Sequence, residues 1–72
     1  MFDVKYSYNG KIHFILENVS RKAARRELRS HVLDVYKHQT CVCMNMVNQD
    51  YIRFTTATTV PNQVEAIFVA QS

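Results

Sequence analysis

An α+β domain is predicted, with one helix packed on one face of an antiparallel sheet of four to five strands, in the order β-β-α-β-β-β. Three observations predict it. Apolar residues recur at every second position in short stretches on both sides of the chain's middle, the pattern of half-buried strands. They recur at helical spacing in one stretch only, Arg21 to Lys37. The 72 residues carry one glycine and one proline, so no linker or low-complexity tract is present. The whole chain, 1–72, then makes one small domain.

Phe2, Val4 and Tyr6 alternate with Asp3, Lys5 and Ser7 as a first strand. Ile12, Phe14 and Leu16 alternate with Lys11, His13 and Glu17 as a second. Asn9-Gly10 between them suits a two-residue type I′ turn. That turn would pair Tyr6 with His13 and set Phe14 on the face of Lys5. A regular ladder cannot tolerate such a slip, because it moves a whole apolar set to the wrong side. A three-residue loop, Tyr8-Asn9-Gly10, is therefore expected. It pairs Tyr6 with Ile12, Val4 with Phe14 and Phe2 with Leu16, and leaves Tyr8 as an exposed loop aromatic.

Ser20 is placed to cap a helix over Arg21–Lys37. Ala24, Leu28, His31, Val32, Val35 and Tyr36 fall on one arc and face the sheet. Lys22, Arg25, Arg26, Arg29 and Lys37 fall on a neighbouring arc, with Leu33 among them. Cys41–Val47 is a third strand, Asn48-Gln49-Asp50 a turn, and Tyr51–Thr58 a fourth strand whose Ile52 and Phe54 match Met46 and Met44. Val60-Pro61-Asn62 breaks the chain. Val64–Ala70 is a last strand, apolar on both faces and hence central or doubly covered. One helix covers one face, so Ile15, Cys43, Tyr51 and Val69 are expected on the other.

The charge is concentrated. Arg21–Lys37 holds six of the nine cations against Glu27 and Asp34, a local +4, while the remainder is −1. A concentrated basic face implies an anionic partner more strongly than a diffuse excess does. Arg21 and Lys22 also oppose the helix dipole, which favours acids in the first turn. The bland alternative is a solvated face that keeps the protein soluble. Arginine forks match phosphate and carboxylate alike, so residue type does not choose between nucleic acid and protein.

The apolar fraction, 47%, is that of a globular protein. Cys41 and Cys43 lie two apart on a strand and are poorly placed to bridge, so they read as reduced thiols of a cytosolic protein. No signal peptide or membrane-length apolar run is visible, and the chain looks like a complete small reading frame. His31 packs at the edge of the core, and His13 sits on the outer face of the second strand. A zinc site from His38, Cys41 and Cys43 lacks a fourth ligand and a knuckle spacing, so no metal and no cofactor is expected. No nucleophile elbow, carboxylate pair or glycine-rich phosphate loop occurs, and no catalytic residue is assigned. Tyr6, Tyr8, Phe14, Tyr51 and Phe54 could serve as stacking platforms on a sheet, as in RNA-binding folds, but most alternate towards the helix side, so core packing is expected, with Tyr8 and Tyr51 left as a second contact surface.

The element order, the small size and the lone basic helix resemble small bacteriophage and mobile-element accessory proteins, among them anti-CRISPR inhibitors. The resemblance spans the chain as architecture and carries no site residue with it. It implies a non-enzymatic inhibitor, in the host cytoplasm, that occupies a nucleic-acid-handling complex by surface contact. Lys22, Arg25, Arg26, Arg29 and Lys37 would contact acidic side chains or phosphate, and Leu33 or Tyr36 would anchor the contact. Two alternatives stand beside it: a DNA- or RNA-binding regulator using the same helix, and a small homo-oligomeric structural protein, such as a homodimer, joined through the open sheet face. No membrane partner is expected.

Overall fold

The computed structural model describes residues 1–38, 41–57, 59 and 63–72, and within these the side chains of all but 35–38, 41 and 42. The elements are β1 (Phe2–Tyr8), β2 (Lys11–Val19), α1 (Arg21–His38), β3 (Cys41–Asn48), β4 (Tyr51–Thr56) and β5 (Glu65–Gln71). All five strands join one antiparallel sheet in the order β2-β1-β5-β4-β3. Two hairpins flank β5, the strand whose two apolar faces called for either a central place or a second covered face, and the central place is the outcome. The expected extension of β4 to Thr58, and the break at Val60-Pro61-Asn62, fall in part or whole outside the described residues.

The helix begins as its sequence demands. The Ser20 hydroxyl accepts from the Ala23 amide at 3.2 Å, and the Ser20 carbonyl accepts from Ala24 at 2.9 Å. Ala24 and Leu28 are fully buried and press on Val4, Ile52, Phe54 and Ile67 of the sheet. Val32 continues that contact. His31 is half-buried at its edge, its Nε2 lying 3.1 Å from Glu27 Oε1 one turn back. The expected inward placement of Val35 and Tyr36 lies outside the described side chains.

The first hairpin corrects the sequence reading. Tyr8 pairs with Lys11, and Asn9 and Gly10 make a two-residue turn with φ of 53° and 76°. Both values are positive, as a type I′ turn requires. Lys5 does oppose Phe14, yet Val4 opposes Leu16, so Ile15 is an extra residue on β2. This bulge reverses parity partway along the strand. Leu16 regains the helix side, while Phe14 and Ile12 are left on the other. A second irregularity follows before the Phe2–Val19 pair, where Asn18 adopts φ of 57° and its amide donates to the buried Asp3 carboxylate at 2.8 Å. Only an unbroken ladder requires the longer loop, and the bulge at Ile15 breaks the ladder.

Further placements change as a result. Tyr8 is the last residue of β1 and half-buried, not a loop residue. His13 shares the face of Tyr6, with ring centroids 6.3 Å apart. Ile15 and Val69 pack against the helix-side core and not on the open face. Cys43 and Tyr51 do lie opposite the helix. The second hairpin keeps its expected parity, with Met46 opposite Ile52 and Met44 opposite Phe54, but Asn48 belongs to β3 and pairs with Tyr51, so the turn is Gln49-Asp50 and an irregularity falls between Met46 and Asn48.

Candidate partner-binding surfaces

The basic helix is divided by a single carboxylate. The Val69 amide donates to the Asp50 carbonyl at 2.7 Å, which ties the β3–β4 turn to β5. The Asp50 side chain then meets the helix. Arg25 Nε donates to Oδ1 at 2.7 Å and its Nη2 to Oδ2 at 3.2 Å, while Arg21 Nη2 reaches Oδ2 at 2.7 Å. Hydrogen bonding from Arg25, then from Arg21, holds the Asp50 carboxyl down at about 2. The same bond raises the Arg25 guanidinium further above its already high range. Arg21 also sits 5.3 Å from the Phe2 ring centroid. The first turn has no acid of its own, and Asp50 brings a carboxylate to it from a distant turn.

Lys22, Arg26 and Arg29 are exposed, and among the described residues no carboxylate pairs with them. At helical spacing they span about 60° of arc together with Leu33. Leu33 is 59% exposed, a large aliphatic side chain among cations. Of the six expected partner residues, the fold thus brings Lys22, Arg26, Arg29 and Leu33 together in the open. Arg25 is engaged by Asp50, and the side chain of Lys37 lies outside the described set. Beside this arc runs a groove of about 280 Å³ between α1 and β3, lined by Arg25, Leu28, Arg29, Met46 and Gln49.

Tyr8 and Tyr51 lie on opposite faces. Tyr8 stacks on Tyr6 at 6.3 Å on the helix side, and Tyr51 stacks on Phe68 at 5.7 Å on the open side. The open side holds residues that the sequence reading sent to the core. Across four strands one transverse row reads Phe14, Lys5, Phe68, Tyr51. The next reads Ile12, Ser7, Ala66, Arg53, Asn45. The signal for the misplaced residues was present: Asn9-Gly10 taken at face value puts Phe14 beside Lys5.

Glu65 was singled out by no sequence pattern. It is 2% exposed, and its carboxylate accepts from Tyr6 Oη at 2.7 Å, Thr56 Oγ1 at 3.1 Å, the Thr56 amide at 3.2 Å and Thr59 Oγ1. Burial, then the bond to Glu65, pushes the Tyr6 phenol well above its ordinary range. Four donors satisfy a buried anion here, so the arrangement locks β5 to β1 and β4.

Cys43 is exposed. The side chains of His38 and Cys41 lie outside the described set, and among the described residues no three His, Cys, Asp or Glu side chains cluster as metal ligands. No helix among the described residues is long and apolar enough to cross a membrane. Comparison with protein-family models, with curated proteins and with solved structures finds nothing that matches this chain.

Proposed function

We propose that this chain is a non-enzymatic interaction protein, an inhibitor of the phage or mobile-element type, that docks the outer face of α1 on an acidic surface of a nucleic-acid-handling complex. One observation supports this above the rest. Asp50 engages Arg21 and Arg25, yet among the described residues no carboxylate pairs with Lys22, Arg26 or Arg29, which share their arc with an exposed Leu33. A helix side kept only for solubility needs no large aliphatic residue in line with its cations. A row of cations ending on an exposed apolar side chain matches a docking patch, in which the apolar group is desolvated and the charges set orientation and on-rate. The resemblance in size and element order adds the nucleic-acid-handling complex as target.

The test is capture from a host lysate with tagged protein, with and without nuclease. Capture of a defined protein that survives nuclease and is lost in the Arg26→Glu, Arg29→Glu double variant supports the reading. Capture abolished by nuclease makes the partner nucleic acid bound directly by the helix. Unchanged capture by a folded double variant removes the helix face as the docking site.

A further inference from the structure

We propose that the helix-free face of the sheet binds single-stranded nucleic acid, with Phe14, Phe68 and Tyr51 stacking on bases and Lys5 and Arg53 meeting phosphates. The site goes beyond the docking reading and uses the opposite side of the molecule. Its residues converge only through strand register. Phe14 comes from β2, Lys5 from β1, Phe68 from β5 and Tyr51 from β4, and direct cross-strand pairing sets them in one line. Arg53 follows on the next line, beside Ala66 and Asn45.

The chemistry of the line is that of base stacking. Phe14 is 54% exposed, an unusual state for a phenylalanine in the middle of a strand. The Lys5 ammonium lies 5.2 Å from its ring centroid, and Tyr51 and Phe68 stack at 5.7 Å with 29° between their planes. Phe14 and Phe68 flank Lys5 on neighbouring strands, so the two platforms are roughly 10 Å apart with a cation between them. A strand laid across the sheet can place bases on the rings and a phosphate on the ammonium. Stacking accepts any unpaired base, because every base has a π-face, and a duplex offers none of those faces along its length.

Charge separates this occupant from a second copy of the chain. The two lines hold Lys5 and Arg53 and no carboxylate. Asp3, one line further along β1, is buried, with Oδ1 accepting the Asn18 amide. Face-to-face pairing of two copies would bring Lys5 and Arg53 of both copies together, with the exposed Glu17 of β2 outside the two lines. An anionic chain with aromatic bases supplies both the opposite charge and the apolar contact.

The test is fluorescence anisotropy of a labelled ten-nucleotide oligouridylate with the full chain, beside a duplex of equal length. The single strand should bind more tightly than the duplex, with affinity falling as salt rises. Phe14→Leu keeps an apolar residue at an exposed site and should weaken binding about ten-fold without changing the salt dependence, while Phe14→Trp should retain it. The same Phe14→Leu protein should still capture the partner of the helix face, so failure of either reading shows separately. Absence of binding at low salt, equal affinity for duplex, or wild-type affinity in Phe14→Leu overturns the proposal. So does sedimentation showing a dimer that Phe14→Leu dissociates, which would make the face a contact between copies.

Discussion

Replacing Asp50 by asparagine should move stability and partner binding in opposite directions. The carboxyl sits at about 2, against an ordinary 3.8. A difference of roughly two pH units corresponds to about 2.5 kcal/mol between the protonation states. Solvent screens part of that, because the Arg21 side chain is 54% exposed and that of Arg25 30%. About 1 kcal/mol remains as the expected loss in Asp50→Asn near neutral pH. For a domain of this size that lowers the melting midpoint by roughly 4–8 °C. The sign follows from linkage. A depressed folded pKa gives stability that is present above the unfolded value and lost as pH falls from near 4 through about 2. Melting by circular dichroism from pH 6 to pH 2 checks this. The wild type should lose its advantage across that window and converge on the variant. The variant also frees Arg21 and Arg25, so capture of an acidic partner should strengthen at low salt. Parallel melting profiles for the two proteins at all pH values would refute the bridges as a source of stability.

Leu28→Ala should cost about 3 kcal/mol, because Leu28 is 1% exposed at the centre of the helix–sheet contact. A domain of this size has roughly 3–5 kcal/mol in total, so urea titration should find the variant with at most about 2 kcal/mol left and partly unfolded even without denaturant. Tyr6→Phe removes one of the four donors to Glu65 and should cost about 1–2 kcal/mol by the same titration. The raised Tyr6 pKa means stability is intact below the ordinary tyrosine range and falls as pH rises beyond it. Melting of Tyr6→Phe should therefore be less sensitive to alkali than that of the wild type.

The hairpin shows where sequence reasoning reached its limit. Ile12, Phe14 and Leu16 look like one apolar stripe, and one stripe fits one face only if the strand is regular. The protein keeps the Asn9-Gly10 turn and breaks the ladder at Ile15, so Leu16 enters the core and Phe14 does not. Period-two reasoning carries no information about where an extra residue enters. The same limit applies to the helix charges. Their clustering is plain in the sequence, but Asp50 is distant in the chain from both Arg21 and Arg25, and nothing local indicates that it collects them.

Local chemistry alone determined the six elements, the Ser20 cap, and the buried arc through Ala24 and Leu28, because each rests on residues a few positions apart. Tertiary structure decided which cations stay free, which aromatics face water and how the Glu65 carboxylate is satisfied. Those outcomes depend on strand register and on partners far apart in the chain, and a single bulge is enough to send neighbouring side chains to opposite sides of the sheet.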